Sequence, residues 1–97
     1  MNTYYIEFWD VNGKVRKSKR ENSHTDQIDK VRRRLVREIG TKTKICGGVF
    51  KGKDITIPMG FVFYDPESRS YIWSTRNPKT LEIKDYTVDE NGRITPL

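Results

Sequence analysis

The chain contains no alanine, one cysteine and one histidine in 97 residues. A single cysteine excludes a disulfide framework and any cysteine-based zinc finger, and a single histidine excludes a site built from several histidine ligands. No run approaches the roughly 20 apolar residues that a membrane-spanning helix needs, so we expect no membrane segment. The first residues lack the charged and then apolar order of a signal peptide, which predicts a cytoplasmic protein.

The apolar residues that are present favour strands over helices. Nine isoleucines, seven valines and eleven aromatic residues outnumber the three leucines. β-Branched and aromatic side chains are enriched in strands. The same residues supply a modest hydrophobic core, which argues against intrinsic disorder. A chain of this length is expected to form one domain, residues 1–97.

The basic residues are concentrated in the middle of the chain. The whole sequence carries 19 Lys and Arg against 13 Asp and Glu, a net charge of +6. Residues 14–53 alone hold fourteen bases and four acids, a local charge of +10, and both flanking segments are slightly acidic. This asymmetry predicts one positive surface on the elements that the middle segment forms.

The first twenty residues predict a β-hairpin. Residues 3–10 are rich in aromatic and β-branched types, and strand alternation places Tyr4, Ile6 and Phe8 on one face. The following pair, Asn12-Gly13, is typical of a tight two-residue turn. The return strand has no apolar face, so we expect it at the edge of a sheet. A two-residue turn predicts the cross-strand pairs Tyr5–Arg20, Trp9–Arg16, Phe8–Lys17 and Ile6–Lys19.

Residues 25–39 have the apolar period of an amphipathic helix. One side of the helical projection carries the apolar residues Ile28, Val31, Leu35, Val36 and Ile39, with Arg32 at its border. Gly40 follows as a C-terminal stop. The opposite side carries four cations, namely Lys30, Arg33, Arg34 and Arg37.

The remainder of the chain predicts strands separated by turns. The predicted strands are residues 43–50, 54–57, 61–65, 70–75, 81–88 and 93–95, with a break at Pro58-Met59-Gly60 and a turn at Asn91-Gly92. Gly47-Gly48 indicates a bulge or a close backbone approach. The fold prediction is therefore α+β. A β-hairpin is followed by one helix packed on a mainly antiparallel sheet, in the order ββα and then four to six strands. The basic hairpin and helix fill residues 3–40, and the β-rich remainder fills residues 42–97.

Groups that are typical of catalysis are scarce. His24 precedes the predicted helix and is interpreted as a loop or cap residue, and Cys46 has apolar neighbours that indicate a buried thiol. The acidic residues Glu82, Asp85, Asp89 and Glu90 are interpreted as exposed strand and turn positions. No segment has the spacing of a phosphate-binding P-loop. We therefore predict no catalytic residue, no cofactor, no metal site and no enzymatic activity.

Two cationic segments form the predicted contact surface. Clustered cations bind phosphates by releasing counterions, and neighbouring rings can stack on exposed bases. The pattern predicts a small nucleic-acid-binding or regulatory protein, with DNA and RNA both open. An acidic protein partner and a solvated charged surface are alternatives. The predicted contact residues are Tyr5, Trp9, Arg16, Lys17, Lys19 and Arg20 on the hairpin, and Lys30, Arg33, Arg34 and Arg37 on the helix.

The hairpin and helix also resemble a known DNA-binding arrangement. An aromatic strand, Tyr4-Tyr5-Ile6-Glu7-Phe8-Trp9-Asp10, precedes Asn12-Gly13-Lys14, then Arg16-Lys17-Ser18-Lys19-Arg20 and an amphipathic helix. This order is similar to that of the amino-terminal arm-binding domain of tyrosine recombinases, the phage and transposon integrases, over about residues 4–39. The resemblance implies that the sheet around the four cations of the return strand faces DNA.

Aromatic residues of the β-rich remainder suggest a second interpretation. Core packing accounts for most of them, and an exposed remainder would form a patch for a partner protein or a second copy of the chain. Open strand edges would serve the same purpose by strand addition. The alternative function is therefore a protein-interaction domain. The aromatic residues in question are Phe61, Phe63, Tyr64, Tyr71, Trp73 and Tyr86.

Overall fold

The computed structural model describes residues 4–10, 15–23, 28–52 and 57–97, with side chains described at all of these except 5, 15–23 and 57. Within these ranges one helix, α1 (Ile28–Ile39), accompanies seven strands that form one antiparallel sheet in the order β2-β1-β3-β4-β5-β6-β7. The α+β prediction is confirmed. The strands are β1 (Tyr4–Asp10), β2 (Val15–Ser23), β3 (Ile45–Lys51), β4 (Ile57–Asp65), β5 (Ser70–Arg76), β6 (Ile83–Val88) and β7 (Ile94–Pro96).

The helix covers one face of this sheet and builds the core there. The apolar side of α1 packs mainly over β3 and β4. Leu35 and Ile39 are fully buried, as are Val49 and Val62 on the strands beneath them. Tyr4, Ile6 and Phe8 of β1 are also buried in this cluster, as their alternation predicts.

The C-terminal end of α1 follows the sequence pattern. Gly40 ends the helix with a φ of +57°, and its N–H donates to the Val36 carbonyl. Tyr71 of β5 donates its hydroxyl to the Gly40 carbonyl over 2.5 Å, which ties the helix end to the sheet. The predicted first residues of the helix, 25–27, lie outside the described residues.

Arg32 fastens the helix to the far end of the sheet. Although charged, it is only 4% exposed. Its Nε donates to the Gly92 carbonyl at 2.8 Å, its Nη2 pairs with Asp29, and its guanidinium lies 5.2 Å from the centre of the Trp73 ring. Burial lowers the pKa of Arg32, while Asp29 opposes that shift. Because an arginine stays charged at neutral pH, these are charge-assisted hydrogen bonds, and they hold the helix against the loop that contains Gly92.

One predicted interruption of the sheet is wrong. Pro58-Met59-Gly60 does not break the chain, because β4 runs continuously through these residues. Val49 pairs with Gly60 and Phe50 with Pro58, so Met59 is an extra residue that a bulge accommodates. Most of the predicted strand 54–57 lies outside the described residues. The predicted hairpin between the next two aromatic strands is confirmed as β4–β5.

Candidate functional site

The cationic edge strand, defined as Arg16, Lys17, Lys19 and Arg20 of β2, lies at one border of the sheet. Lys17 pairs with Phe8 and Lys19 with Ile6, as predicted. A register shift after Phe8 pairs Trp9 with Val15, so the predicted pairing with Arg16 is wrong. A second shift, between Tyr4 and Ile6, lies where the sequence predicts Tyr5 opposite Arg20. The predicted register therefore holds from Ile6 to Phe8, and an irregularity follows at each end of that stretch.

The cationic helix face, defined as Lys30, Arg33, Arg34 and Arg37, is exposed along its length. These four side chains point away from the sheet, since the opposite side of α1 is buried against it. Arg34 lies 3.7 Å from Glu38, an exposed ion pair of small energetic value. Arg32, in the same segment, is structural. The helix therefore presents three arginines and one lysine to solvent.

Trp9 lies on the sheet face opposite the helix. Gly47 and Gly48 are consecutive on β3 and so face opposite sides. A Cβ on Gly47 would meet Leu35 of the helix at 2.7 Å, whereas a Cβ on Gly48 would overlap the six-membered ring of Trp9. Side chains, rather than a second backbone, therefore pack closely against these glycines, and the strand register continues through both of them without a bulge. Trp9 and the cationic helix face consequently lie on opposite sides of the molecule.

Aromatic side chains cluster on this open face around Trp9. Its indole Nε1 donates to Glu7 Oε2 at 3.2 Å, and its ring meets Phe50 edge to face, with centroids 5.9 Å apart and planes at 87°. Phe61 is 40% exposed, and its ring centroid lies 6.0 Å from that of Phe63. The cluster is therefore accessible from solvent.

A groove of about 190 Å³ runs through this cluster. Its walls combine flat rings with one exposed guanidinium, that of Arg76 at the end of β5. We call it the aromatic groove. Its lining residues are Trp9, Val49, Phe50, Pro58, Met59, Gly60, Phe61, Ser74 and Arg76.

Only part of this groove is visible in the sequence. Trp9 is a predicted contact residue and Phe61 belongs to the predicted aromatic patch, but Phe50, Met59 and Arg76 are not signalled. They meet only because β3, β4 and β5 are neighbours in the sheet. Most other aromatic residues of the predicted patch belong to the core instead. Those that pack in or against the helix-covered core are Tyr64, Tyr71, Trp73 and Tyr86.

The candidate catalytic groups are dispersed. Cys46 is half-buried on β3, and burial raises the pKa of its thiol. Glu82, Asp85, Asp89 and Glu90 are exposed, and Asp89 accepts hydrogen bonds from two backbone amides of its own loop. His24 lies outside the described residues. Within the described ranges no group of three or more His, Cys, Asp or Glu is arranged to hold a metal ion.

No helix within the described residues could cross a membrane. At twelve residues and with four arginines, α1 is too short and too polar to cross a bilayer. Comparisons of this chain with protein-family models, curated proteins and solved structures find no match.

Proposed function

We propose that this protein is a non-enzymatic nucleic-acid-binding protein that holds the phosphate backbone through its cationic edge strand and cationic helix face. The observation that carries the proposal is the exposure of Lys30, Arg33, Arg34 and Arg37 on one side of α1. A folded chain that needed these cations for packing would bury them, as it does Arg32. Exposed clustered cations are instead available to phosphates.

The edge strand supports the same proposal from the sequence. Four cations lie within five residues of β2, the first strand in the order of the described sheet. Lysine and arginine protect an edge strand from pairing with other chains, and the same charges attract polyanions. The resemblance of residues 4–39 to the arm-binding domain of tyrosine recombinases also favours a DNA-facing role for this segment.

Salt-dependent titration tests the proposal. Labelled single-stranded and duplex DNA and RNA are titrated with the protein at two ionic strengths, and affinity should fall steeply with salt. The double variant Arg16→Ala with Arg33→Ala removes one cation from each segment. It should weaken binding to all probes and reduce the slope of log K against log salt by about 2.

The matched control removes a cation elsewhere. Lys79 is exposed in the loop between β5 and β6 and belongs to neither cationic segment, so Lys79→Ala should leave affinity and slope nearly unchanged. Absence of binding even at low salt would refute the proposal. Equal losses for Lys79→Ala and the double variant would show that net charge alone, rather than a surface, attracts the probes.

A protein-interaction role is the second candidate, and two observations favour it. Phe61 is 40% exposed on a sheet face that α1 leaves uncovered, and every residue of the edge strand β7 is exposed. A partner could bury the rings or add a strand to that edge. Analytical ultracentrifugation across a range of concentrations would reveal a dimer, and Phe61→Ala should abolish it if the open face forms the contact.

A further inference from the structure

We propose that the aromatic groove binds an unpaired nucleobase, so that the protein prefers single-stranded nucleic acid to duplex. This inference rests on the proposed function, because it names the form of nucleic acid that the cationic segments hold. The groove lies on the face of the sheet opposite the cationic helix face, and the cationic edge strand borders both faces.

The geometry of the groove suits a flat ring. The Trp9 indole is held in place by its contact with Gly48 below and by its hydrogen bond to Glu7. Phe50 presents its edge to that indole, and Phe61 stands on the neighbouring strand with 40% of its surface exposed. Rings fixed in this way lose little conformational freedom when a base stacks on them.

The charges around the groove suit a phosphate backbone more than an apolar protein segment. Arg76 lines the groove from β5, and a guanidinium can stack on a base or pair with a phosphate. On the other side, β1 alone separates β3 from the four cations of β2. Two acidic residues flank Trp9 on β1: Glu7, whose carboxylate accepts a hydrogen bond from the indole, and Asp10, which alternation along the strand places on the other face. A strand with one base in the groove would therefore cross a short distance to reach cations.

Pairing and stacking explain the preference for a single strand. In a duplex, each base has its faces covered by neighbouring bases and its pairing edge bound to the complementary strand. A stacking platform can take up such a base only if the duplex opens, which costs free energy. An unpaired base is available at once, and stacking is tolerant of sequence because every base has an aromatic face.

The test compares one labelled oligonucleotide, alone and annealed to its complement, by fluorescence anisotropy at a fixed low salt concentration. We expect the single strand to bind at least tenfold more tightly. Phe61→Ala and Arg76→Ala should each weaken single-strand binding, the former about tenfold, and leave duplex binding nearly unchanged. Leu81→Ala, which truncates a 59% exposed residue outside the groove, is the matched control.

The outcomes separate this inference from the proposed function. Equal affinity for both forms, with no effect of either groove variant, would overturn the groove assignment and leave phosphate binding intact. Failure of both forms to bind would overturn both proposals. A concentration-dependent dimer that Phe61→Ala abolishes would show that the groove contacts a second copy, which also overturns the assignment. Circular dichroism of each variant verifies folding, and two independent groove variants protect the test from one that misfolds.

Discussion

Gly47 and Gly48 are neighbours on β3, yet they face opposite sides of the sheet, and different groups pack against them. Above Gly47 is the helix, with Leu35 closing over a continuous apolar core. Above Gly48 is the Trp9 ring, and beyond it the aromatic groove is open to solvent. The same strand therefore serves two purposes, because alternate residues belong to different faces of the sheet.

The two tryptophans also lie on opposite faces of the sheet and differ in their exposure to solvent. Trp73 is 3% exposed on the covered face, where the Arg32 guanidinium packs on its ring. Trp9 is only partly buried on the open face and borders the groove. Large rings in this chain therefore fall into two groups. Those under the helix stabilise the fold, and those on the open face are available for binding.

The largest expected effect comes from adding a methyl group at the junction of helix and sheet. A Cβ on Gly92 would lie 2.6 Å from the Arg33 amide nitrogen and closer still to the Asp29 carbonyl, and Gly92 has a φ of +81°. Gly92→Ala should lower the free energy of unfolding by about 4 kcal/mol, from backbone overlap and dihedral strain together. Urea denaturation followed by circular dichroism measures this loss.

Gly40→Ala is the matched control for that substitution. Gly40 also has a positive φ, +57°, but nothing lies within 4 Å of the position its Cβ would take. Its variant should lose only about 1 kcal/mol, the cost of the left-handed conformation. Similar losses for both variants would show that Gly92 does not contact the helix backbone as described.

The buried arginine gives the next largest effect. Arg32→Met keeps an unbranched apolar stem but leaves the buried Gly92 carbonyl without its donor, which should cost about 2–3 kcal/mol. Asp29 is about half-exposed and can be solvated, which keeps the loss below that of a fully buried pair. The exposed neighbour serves as control, since Arg33→Met should change stability by less than about 0.5 kcal/mol. A larger loss of stability for Arg33→Met than for Arg32→Met would contradict the distinction between the buried, structural Arg32 and the exposed cations of α1.

A smaller effect distinguishes the two glycines of β3. Gly48→Ala should cost about 1 kcal/mol, because its methyl group displaces the Trp9 ring. In a Trp9→Ala background the same substitution should become nearly neutral. Gly47→Ala, which meets Leu35 instead, should be as costly in that background as in the original chain. A double-mutant cycle measures both couplings, and equal coupling would mean that the two faces are not separated.

The smallest expected effect concerns the reactivity of Cys46. Burial raises the pKa of this thiol, so less of the reactive thiolate is present near neutral pH. Alkylation by iodoacetamide should be slower in the folded protein than in urea and should accelerate as pH rises. Faster alkylation of the folded protein would show that Cys46 is more accessible and more acidic than its position on β3 implies.

Local periodicity was sufficient to predict much of the fold. The alternation of Tyr4, Ile6 and Phe8 and the helical spacing from Ile28 to Ile39 identify the buried sides of β1 and α1. The helical projection likewise identifies the four exposed cations of α1. These features depend on neighbours within one element, which the sequence displays directly.

Features that depend on distant partners were not predictable in this way. Arg32 borders the apolar stripe in projection, but its burial depends on Gly92, 60 residues away. The bulge at Met59 depends on the register of β4 against β3. The aromatic groove requires Phe50, Phe61 and Arg76 to come from three adjacent strands, and no spacing along the chain reveals that adjacency.

The two tryptophan indoles provide the most direct test of the difference between the faces. In a ¹⁵N-labelled sample each indole N–H gives its own NMR signal, and Trp9→Phe assigns them. On titration with a single-stranded oligonucleotide, the Trp9 signal should shift progressively while the Trp73 signal, buried under the helix, stays in place. Binding that leaves the Trp9 signal unmoved, or that moves the Trp73 signal as far, would contradict a binding role for the open face.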